Sequence, residues 1–357
     1  MKTLIVAAGR FDQELAAQIA AGREPRLDVF ELERALRAPE ARTLDYNDVD
    51  RCRRPDVQAI RRVLGHSAAV AYLAVLESAD VDAFLTTGED IGLPLAMLLK
   101  LRGVRASHTM IAHTLEPLKK RVFFSIGAGS RLDRVLCYAS TQERLMLERL
   151  RLSRDVVQRI NFHADEDFFR PAEVAVEDDL ICAAGQLLRD YETLIRATET
   201  LPVRVHIAAG SPWIATPLRP RAGLPANVDW RRYDRFELRD LYRRSALAVV
   251  PLEQNDYQTG IATILEMMAT GKCVIATRTR GQIDTIIDNV TGVYVPPNDP
   301  EALRAAIERL LRSPEERARI GKAARAFIER EAGLDRFVDR VARTVRESHV
   351  ARFGDAA

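Results

Sequence analysis

The sequence predicts an α/β protein made of two doubly wound, Rossmann-like domains facing across a cleft. Three observations carry that prediction. The chain has 357 residues, which at roughly 100–200 residues per domain calls for two domains with enough core to fold unaided. Short apolar, β-branched runs alternate with helical patterns almost throughout, the arrangement that gives parallel sheets covered by helices. After Phe168-Phe169-Arg170-Pro171 the composition turns polar and acidic (Glu173, Glu177, Asp178, Asp179), and then the alternation restarts.

In the first half, strands are expected at residues 3–7, 83–87, 109–112 and 134–138, with helices such as 57–64 and 141–150 between them. The opening stretch carries one charge, Lys2, then a short apolar run ending at Gly9, so it reads as a first buried strand rather than an export signal. The second half repeats the scheme: strand 180–184, helix 191–198, strand 204–208, helix 238–244 and strand 247–251. Helix 261–270, strands 272–277 and 292–295, and helix 300–311 come next, and the end of the chain looks helical and charged on one face. Expected domains are 1–170, 171–335, and a helical segment 336–357 that crosses back to the first domain. Ligands of paired folds of this kind bind between the sheet ends.

Composition removes several function classes. The 53 Lys+Arg and 51 Asp+Glu leave a net charge of +2, too small a field to steer a polyanion, so nucleic acid is not an expected partner. A hydrophobic fraction of 47% with 29% charged residues is that of a globular rather than a disordered chain. Cys52, Cys137, Cys182 and Cys273 show no metal-type spacing, which suits a reducing, cytoplasmic setting. No apolar stretch reaches the length of a membrane span. No zinc spacing, nucleophile elbow or Walker loop appears, and no metal or other cofactor is expected.

The most informative stretch runs from Gln258 to Thr277. Gly260 lies just before a helix whose first N–H groups lack intrahelical partners and carry partial positive charge, a place where a phosphate can sit against the backbone of Gly260 and Ile261. Thr259 and Thr263 offer hydroxyls in the first turn, and Glu266, further along, reaches a diol as a paired acceptor. The same residues equally describe an ordinary capped helix with a surface Glu.

The residues after Thr277 are more specific: Arg280-Gly281-Gln282, then Thr291-Gly292 and Asn298-Asp299-Pro300. Together with Arg189 to Ala197 and Asn161 to Pro171, this region resembles the donor-binding domain of family 4 retaining glycosyltransferases of the GT-B fold. The resemblance is strong over about residues 130–330. It implies a retaining transfer from a nucleotide-sugar donor to an acceptor not identified by sequence, with the N-terminal domain binding acceptor and the C-terminal domain binding donor. By the family pattern, the first glutamate of a Glu-x7-Glu pair meets the transferred sugar and the second the ribose. Here Glu266 is the second, while Gln258 replaces the first; Glu253 is the alternative from the same loop. Of the Arg and Lys that the family sets against the diphosphate, Gln186 stands at the first and Arg189 matches the second, so Arg189 carries the leaving-group role by resemblance. Its guanidinium fork suits phosphate geometry. Lys272 reads as structural.

In the first half, Gly9 comes after the first strand where a glycine lets backbone approach a ligand. His113 ends the third expected strand, where family members often carry a histidine facing sugar and acceptor. Glu89 and Asp90 come after another strand and read either as acceptor contacts or as a helix N-terminal pair. Lys119-Lys120-Arg121-Val122-Phe123-Phe124 sets a basic run beside aromatics. It reads as a solvated helix face or as a patch for peripheral contact with an anionic bilayer or a phosphorylated acceptor. The rival readings are a degenerate, non-catalytic homologue that binds a sugar nucleotide or a partner, and another two-domain nucleotide-sugar enzyme such as an epimerase.

Overall fold

The computed structural model describes residues 1–37, 40–210 and 223–354. The chain divides into two compact units. Unit 1 comprises residues 1–21, 26–160 and the chain from Asp335 onward; unit 2 comprises 22–25 and 161–334. Each holds one six-stranded, wholly parallel sheet. Each sheet is made of Rossmann-like repeats with helices on its faces.

In unit 1 the strands are β1 (Lys2–Val6), β2 (Glu40–Leu44), β3 (Ala83–Thr86), β4 (Ser107–Ile111), β5 (Arg134–Cys137) and β6 (Val157–Arg159), in spatial order β2-β1-β3-β4-β5-β6. In unit 2 they are β7 (Glu177–Ala184), β8 (Arg204–Ala208), β9 (Val228–Arg231), β10 (Ser245–Val250), β11 (Val274–Thr277) and β12 (Val293–Val295), in order β12-β11-β10-β7-β8-β9. In each sheet the chain winds outward from a first strand, then returns to that strand's other side. The switch points therefore lie between β1 and β3 and between β7 and β10. At such points the connections leave the strands' carboxyl ends in opposite directions and open a crevice for ligands.

Burial explains why the central strands read as unbroken apolar runs. Along β7, Leu180, Cys182 and Ala184 enter one core cluster while Ile181 and Ala183 enter another. β10 splits the same way, with Ala248 and Val250 on one side and Leu247 and Val249 on the other. Both faces are covered, so neither needs polar residues. The helix Pro300–Arg312 closes one face with Leu303, Ala306, Ile307 and Leu310, a single stripe at helical spacing.

The edge strands β2, β6 and β9 were not among the expected ones, and their chemistry explains it. β9 is Val-Asp-Trp-Arg with no buried residue, so it shows no apolar run. The helix expected from 238 begins earlier, as Arg235–Arg244, because Asp234 accepts from the Glu237 amide while Glu237 caps Asp234 in return. The helix expected over 141–150 changes character midway. After Ser140–Arg144 it widens into a π turn, Leu145–Arg149, closed by the Leu150 amide donating to the Leu145 carbonyl. That turn places the adjacent Leu145 and Met146 in the core together.

The last helix, Leu334–Phe353, completes unit 1. Phe337, Val341, Ala342 and Val345 are buried, and the Phe337 ring lies 6.4 Å from that of Tyr138. Arg352 donates to both carboxylate oxygens of Asp133, at 2.8 and 3.0 Å. Among the described residues no helix is long and apolar enough to cross a membrane. Phe337→Ala should lower the stability of unit 1 by about 3–5 kcal/mol in urea denaturation. Val350→Ala, on the same helix but 42% exposed, should stay within about 0.5 kcal/mol; equal losses would show that the helix is not anchored by its apolar stripe.

Candidate functional site

The candidate site of unit 2 stands at the carboxyl ends of β7 and β10. After β7 the chain turns through Gly185 at φ +97° and Leu188 at φ +51°, and the turn folds Arg189 back under itself. Arg189 is buried. Its Nε donates to the Ala184 carbonyl at 2.9 Å, Nη1 to the Leu187 carbonyl at 2.8 Å and Nη2 to Thr263 Oγ1 at 3.2 Å. A Cβ at Gly185 would overlap that guanidinium, so the position requires glycine on steric as well as conformational grounds. The turn is tied to the neighbouring strand end: Asp190 N donates to Pro251 O at 3.1 Å and Glu253 N to Leu188 O at 3.0 Å.

Among the described residues no carboxylate forms an ion pair with Arg189. Burial disfavours its charge and lowers its pKa, an effect opposed by Tyr191, Tyr242 and Glu266. A buried guanidinium whose hydrogen bonds all go to neutral acceptors keeps a positive charge that suits an anion.

Beside it begins the helix Ile261–Ala269. Gly260 caps it at φ +77° with no side-chain hydrogen bond at the cap. An ideal Cβ on Gly260 would lie 3.4 Å from Arg189 Nη1 and 3.1 Å from both Leu252 Cδ2 and Val250 Cγ1. Arg189, Gly260 and Thr263 therefore meet at one point, where the guanidinium adjoins the first turn of the helix, whose Ile261 amide donates to the Gln258 carbonyl at a long 3.4 Å.

Glu266 sits further along the same helix. Part of its side chain is accessible, but the carboxyl itself is crowded by protein, and desolvation pushes its pKa up to about 7 against the opposing influence of Arg235, the Tyr242 hydroxyl and Arg189. Tyr242 OH lies 3.5 Å from Glu266 Oε2, and Arg235 Nε lies 3.0 Å from Glu24 Oε2. Its two carboxyl oxygens are acceptors, the arrangement that suits the paired hydroxyls of a diol.

The loop before the helix is fixed by its own polar residues. Asn255 Nδ2 donates to Glu253 O at 2.6 Å and to Thr259 Oγ1 at 3.0 Å, and Gln282 Nε2 donates to Thr259 O at 3.1 Å. Gly281 packs so closely on the Tyr257 backbone that a Cβ there would overlap it. Gln258 is thereby held in a rigid loop, half-buried, while Glu253 points its side chain outward and is exposed. Lys272 is enclosed enough that burial lowers its pKa.

In unit 1 the expected residues cluster around Thr87. The Ala8 amide beside Gly9 donates to Thr87 Oγ1 at 3.0 Å, and His113 Nε2 lies 3.0 Å from the Thr87 carbonyl. Gly9 itself has φ +149°, and its carbonyl accepts from Tyr46 N at 3.0 Å. His113 is exposed, stacked obliquely 5.5 Å from Tyr138. Glu89, read as an acceptor contact, is instead turned into the fold. Its carboxylate accepts from the His113 and Thr114 amides at 2.8 and 3.2 Å and pairs with Lys120 Nζ at 2.5 Å. Glu89 therefore positions the loop that carries His113. Lys120 correspondingly leaves the basic run, whose Lys119 and Arg121 stay exposed on the helix Leu118–Ser125.

Tyr242, Arg235 and Asn255 were not singled out by sequence, and Tyr191 and Gln282 entered only as parts of stretches that carry the family resemblance. They brace the residues around Arg189 and Gly260, Tyr191 OH for example donating to the Gly185 carbonyl at 2.6 Å, and their spacing carries no signal of that role. Among the described residues no cluster of three or more His, Cys, Asp or Glu is arranged to hold a metal ion.

Known proteins resemble this chain in both sequence and fold. A curated relative, D-inositol 3-phosphate glycosyltransferase of Xylanimonas cellulosilytica, is 31% identical over 166 residues, 43% of this chain and 39% of the relative. The chain thus spans well under half of that relative's length. A glycosyltransferase from Rickettsia africae superposes with a TM-score of 0.71 at 17% identity, covering 97% of this chain and 98% of that one. Anabaena HepE, solved in complex with UDP-glucose, superposes with a TM-score of 0.69 at 13% identity, covering 97% and 100%. These structural likenesses establish the fold, which is the GT-B pairing of two Rossmann-like domains. Residues 166–327 match the family described as Glycosyl transferases group 1, a span that contains Arg189, Gly260, Thr263 and Glu266.

Proposed function

We propose that the protein is a retaining glycosyltransferase that moves a hexose from a nucleotide-sugar donor to an acceptor. The observation that carries this reading is the buried Arg189 guanidinium, left without a carboxylate partner and set against the open start of the helix Ile261–Ala269. The family match over the same residues and the UDP-glucose held by the similar HepE fold support it.

In this reading the donor diphosphate lies on Arg189 and on the amides near Gly260 and Ile261. As the glycosidic bond to phosphate breaks, negative charge grows on the leaving oxygens, and a preorganised cation and helix terminus stabilise it without having to reorganise. These groups supply the positive charge the leaving group needs, so the transfer is proposed to run without a metal. Glu266 pairs with the ribose hydroxyls, its two carboxyl oxygens accepting from the diol. Gln258 addresses the hexose with a neutral amide in place of a carboxylate. Gly9 and His113 of unit 1 serve the acceptor, whose proton passes to the departing phosphate oxygen in a front-face transfer.

Two measurements check this site. Arg189→Gln should weaken calorimetric UDP affinity about 10- to 100-fold, the weight of a charge-assisted hydrogen bond, with the fold verified by circular dichroism; unchanged affinity would remove Arg189 from the site. The second concerns Glu266. Its folded pKa of about 7 exceeds the ordinary 4.5, so between those values the folded state holds more protons than the unfolded chain. Wild-type stability therefore falls as pH rises through this window, and the loss persists above it. Glu266→Gln lacks this dependence, so its stability relative to wild type should climb by about 1–3 kcal/mol from pH 4.5 to 8. A pH-independent difference would show that the carboxyl is not desolvated.

A further inference from the structure

We infer that Arg10, Arg61 and His66 form a recognition site for a phosphorylated group on unit 1, separate from the donor groups of unit 2. Assigning that group to the acceptor rests on the glycosyltransferase reading; the anion site itself does not.

The cluster lies at the carboxyl ends of β1 and β2, at the edge of the switch point between β1 and β3. Arg10 comes directly after the Gly9 turn that ends β1. Asp50 lies in the short helix Tyr46–Arg51 after β2, Arg61 in the helix Pro55–Leu64, and His66 opens the helix His66–Leu76 that leads into β3. Arg10 Nη2 lies 3.0 Å from Asp50 Oδ2 and 3.4 Å from His66 Nε2. Arg61 Nη1 and His66 Nε2 approach Asp50 Oδ1 at 3.0 and 2.9 Å. Side chains from three separate elements thus converge on a single carboxylate.

Charge makes this arrangement unusual for a structural ion pair. Two permanent cations face one anion, so a net positive charge remains even with neutral His66. The hydrogen bonds from His66 and Arg10 hold the Asp50 pKa down to about 2, so it stays ionised and the excess keeps its size across the working pH range. Partly exposed pairs of this kind contribute little to stability, which gives the fold little reason to gather two arginines here. Arg61 Nε is buried and has no hydrogen-bond partner. The Tyr46 ring braces the group, with the His66 ring at 5.2 Å and the Arg10 guanidinium at 6.0 Å, while its hydroxyl lies 2.8 Å from Ser67 Oγ.

Two guanidinium forks held by a common carboxylate offer several N–H donors to one tetrahedral anion, the geometry at which arginine surpasses lysine. The Arg10 side chain is 52% exposed, so a ligand reaches it without a rearrangement. The helix that carries Arg61 continues into Val63 and Leu64, 80% and 67% exposed. Basic and apolar groups side by side suit a phosphate carried by a soluble sugar or by a lipid, and the test separates the two sources.

Inorganic phosphate is titrated calorimetrically into the full chain at low salt, with UDP saturating so that the unit 2 site is filled. Arg10→Ala and Arg61→Ala should each weaken phosphate binding roughly five- to tenfold, and Arg62→Ala, at an exposed neighbouring arginine, should leave it within about twofold. UDP affinity should be unchanged in all three. Equal phosphate affinity in every variant, or an equal loss in Arg62→Ala, would overturn the site. If wild type binds no UDP, the donor reading fails, whereas the ordering of the arginine variants still decides the anion site. Sedimentation with phosphatidylcholine vesicles, with and without phosphatidylinositol, then fixes the source. Retention on the anionic vesicles that Arg10→Ala and Arg61→Ala abolish supports a lipid-borne phosphate, and phosphate binding without retention supports a soluble one.

Discussion

Burying an arginine without a counterion is the constraint around which unit 2 is arranged. Removing a guanidinium from water costs several kcal/mol even after the surroundings relax, and the fold offsets this with two carbonyls and a hydroxyl on Arg189. None of these neutralises the charge. To supply them, the chain after β7 must double back through Gly185 and Leu188, both at positive φ, and Thr263 must face the same point from another element. Gly260 is required where it is because a side chain there would press on Leu252, Val250 and the guanidinium together. The same concentration of protein around the site crowds Glu266 and raises its pKa to about 7. The positive charge, the open helix start and the poised carboxyl are consequences of one packing arrangement.

The sheet topology decides where such a group is useful. Both sheets are parallel and doubly wound, so both place their loops at carboxyl ends and both have a switch point. In unit 2 that place holds Arg189 and the glycine-led helix. In unit 1 it holds Gly9, His113 and, at its edge, the arginines around Asp50. Glu89 illustrates how the second set is kept in order: its carboxylate, buried with Lys120, takes the amides of His113 and Thr114 and leaves the imidazole outward. Such a pair does little for net stability but fixes a loop geometry.

Legibility in the sequence tracked the range of the interactions. The central strands and the helix after Gly260 were readable because buried parallel strands are continuous in apolar residues and a glycine before an amphipathic run marks a helix start. Arg189 was marked only by the family resemblance, and the structure adds its neighbours. The edge strands β2, β6 and β9 escaped because polar residues toward solvent break the apolar run. The Glu89–Lys120 pair escaped for a different reason. Both residues look like surface charges locally, and only the tertiary fold brings them together. Tyr242 and Asn255 shape the site through side-chain contacts that no periodicity encodes, and the Arg10, Arg61 and His66 cluster is likewise assembled from separate elements.

The role of Arg189 as an anion clamp is tested most directly by the calorimetric affinities of uridine, UMP and UDP for the intact protein. If the diphosphate is what the site grips, affinity rises with each phosphate, and UDP binds about a hundredfold or more tighter than uridine. UDP binding no tighter than uridine would contradict it, because the guanidinium and the helix start would then be meeting no phosphate at all.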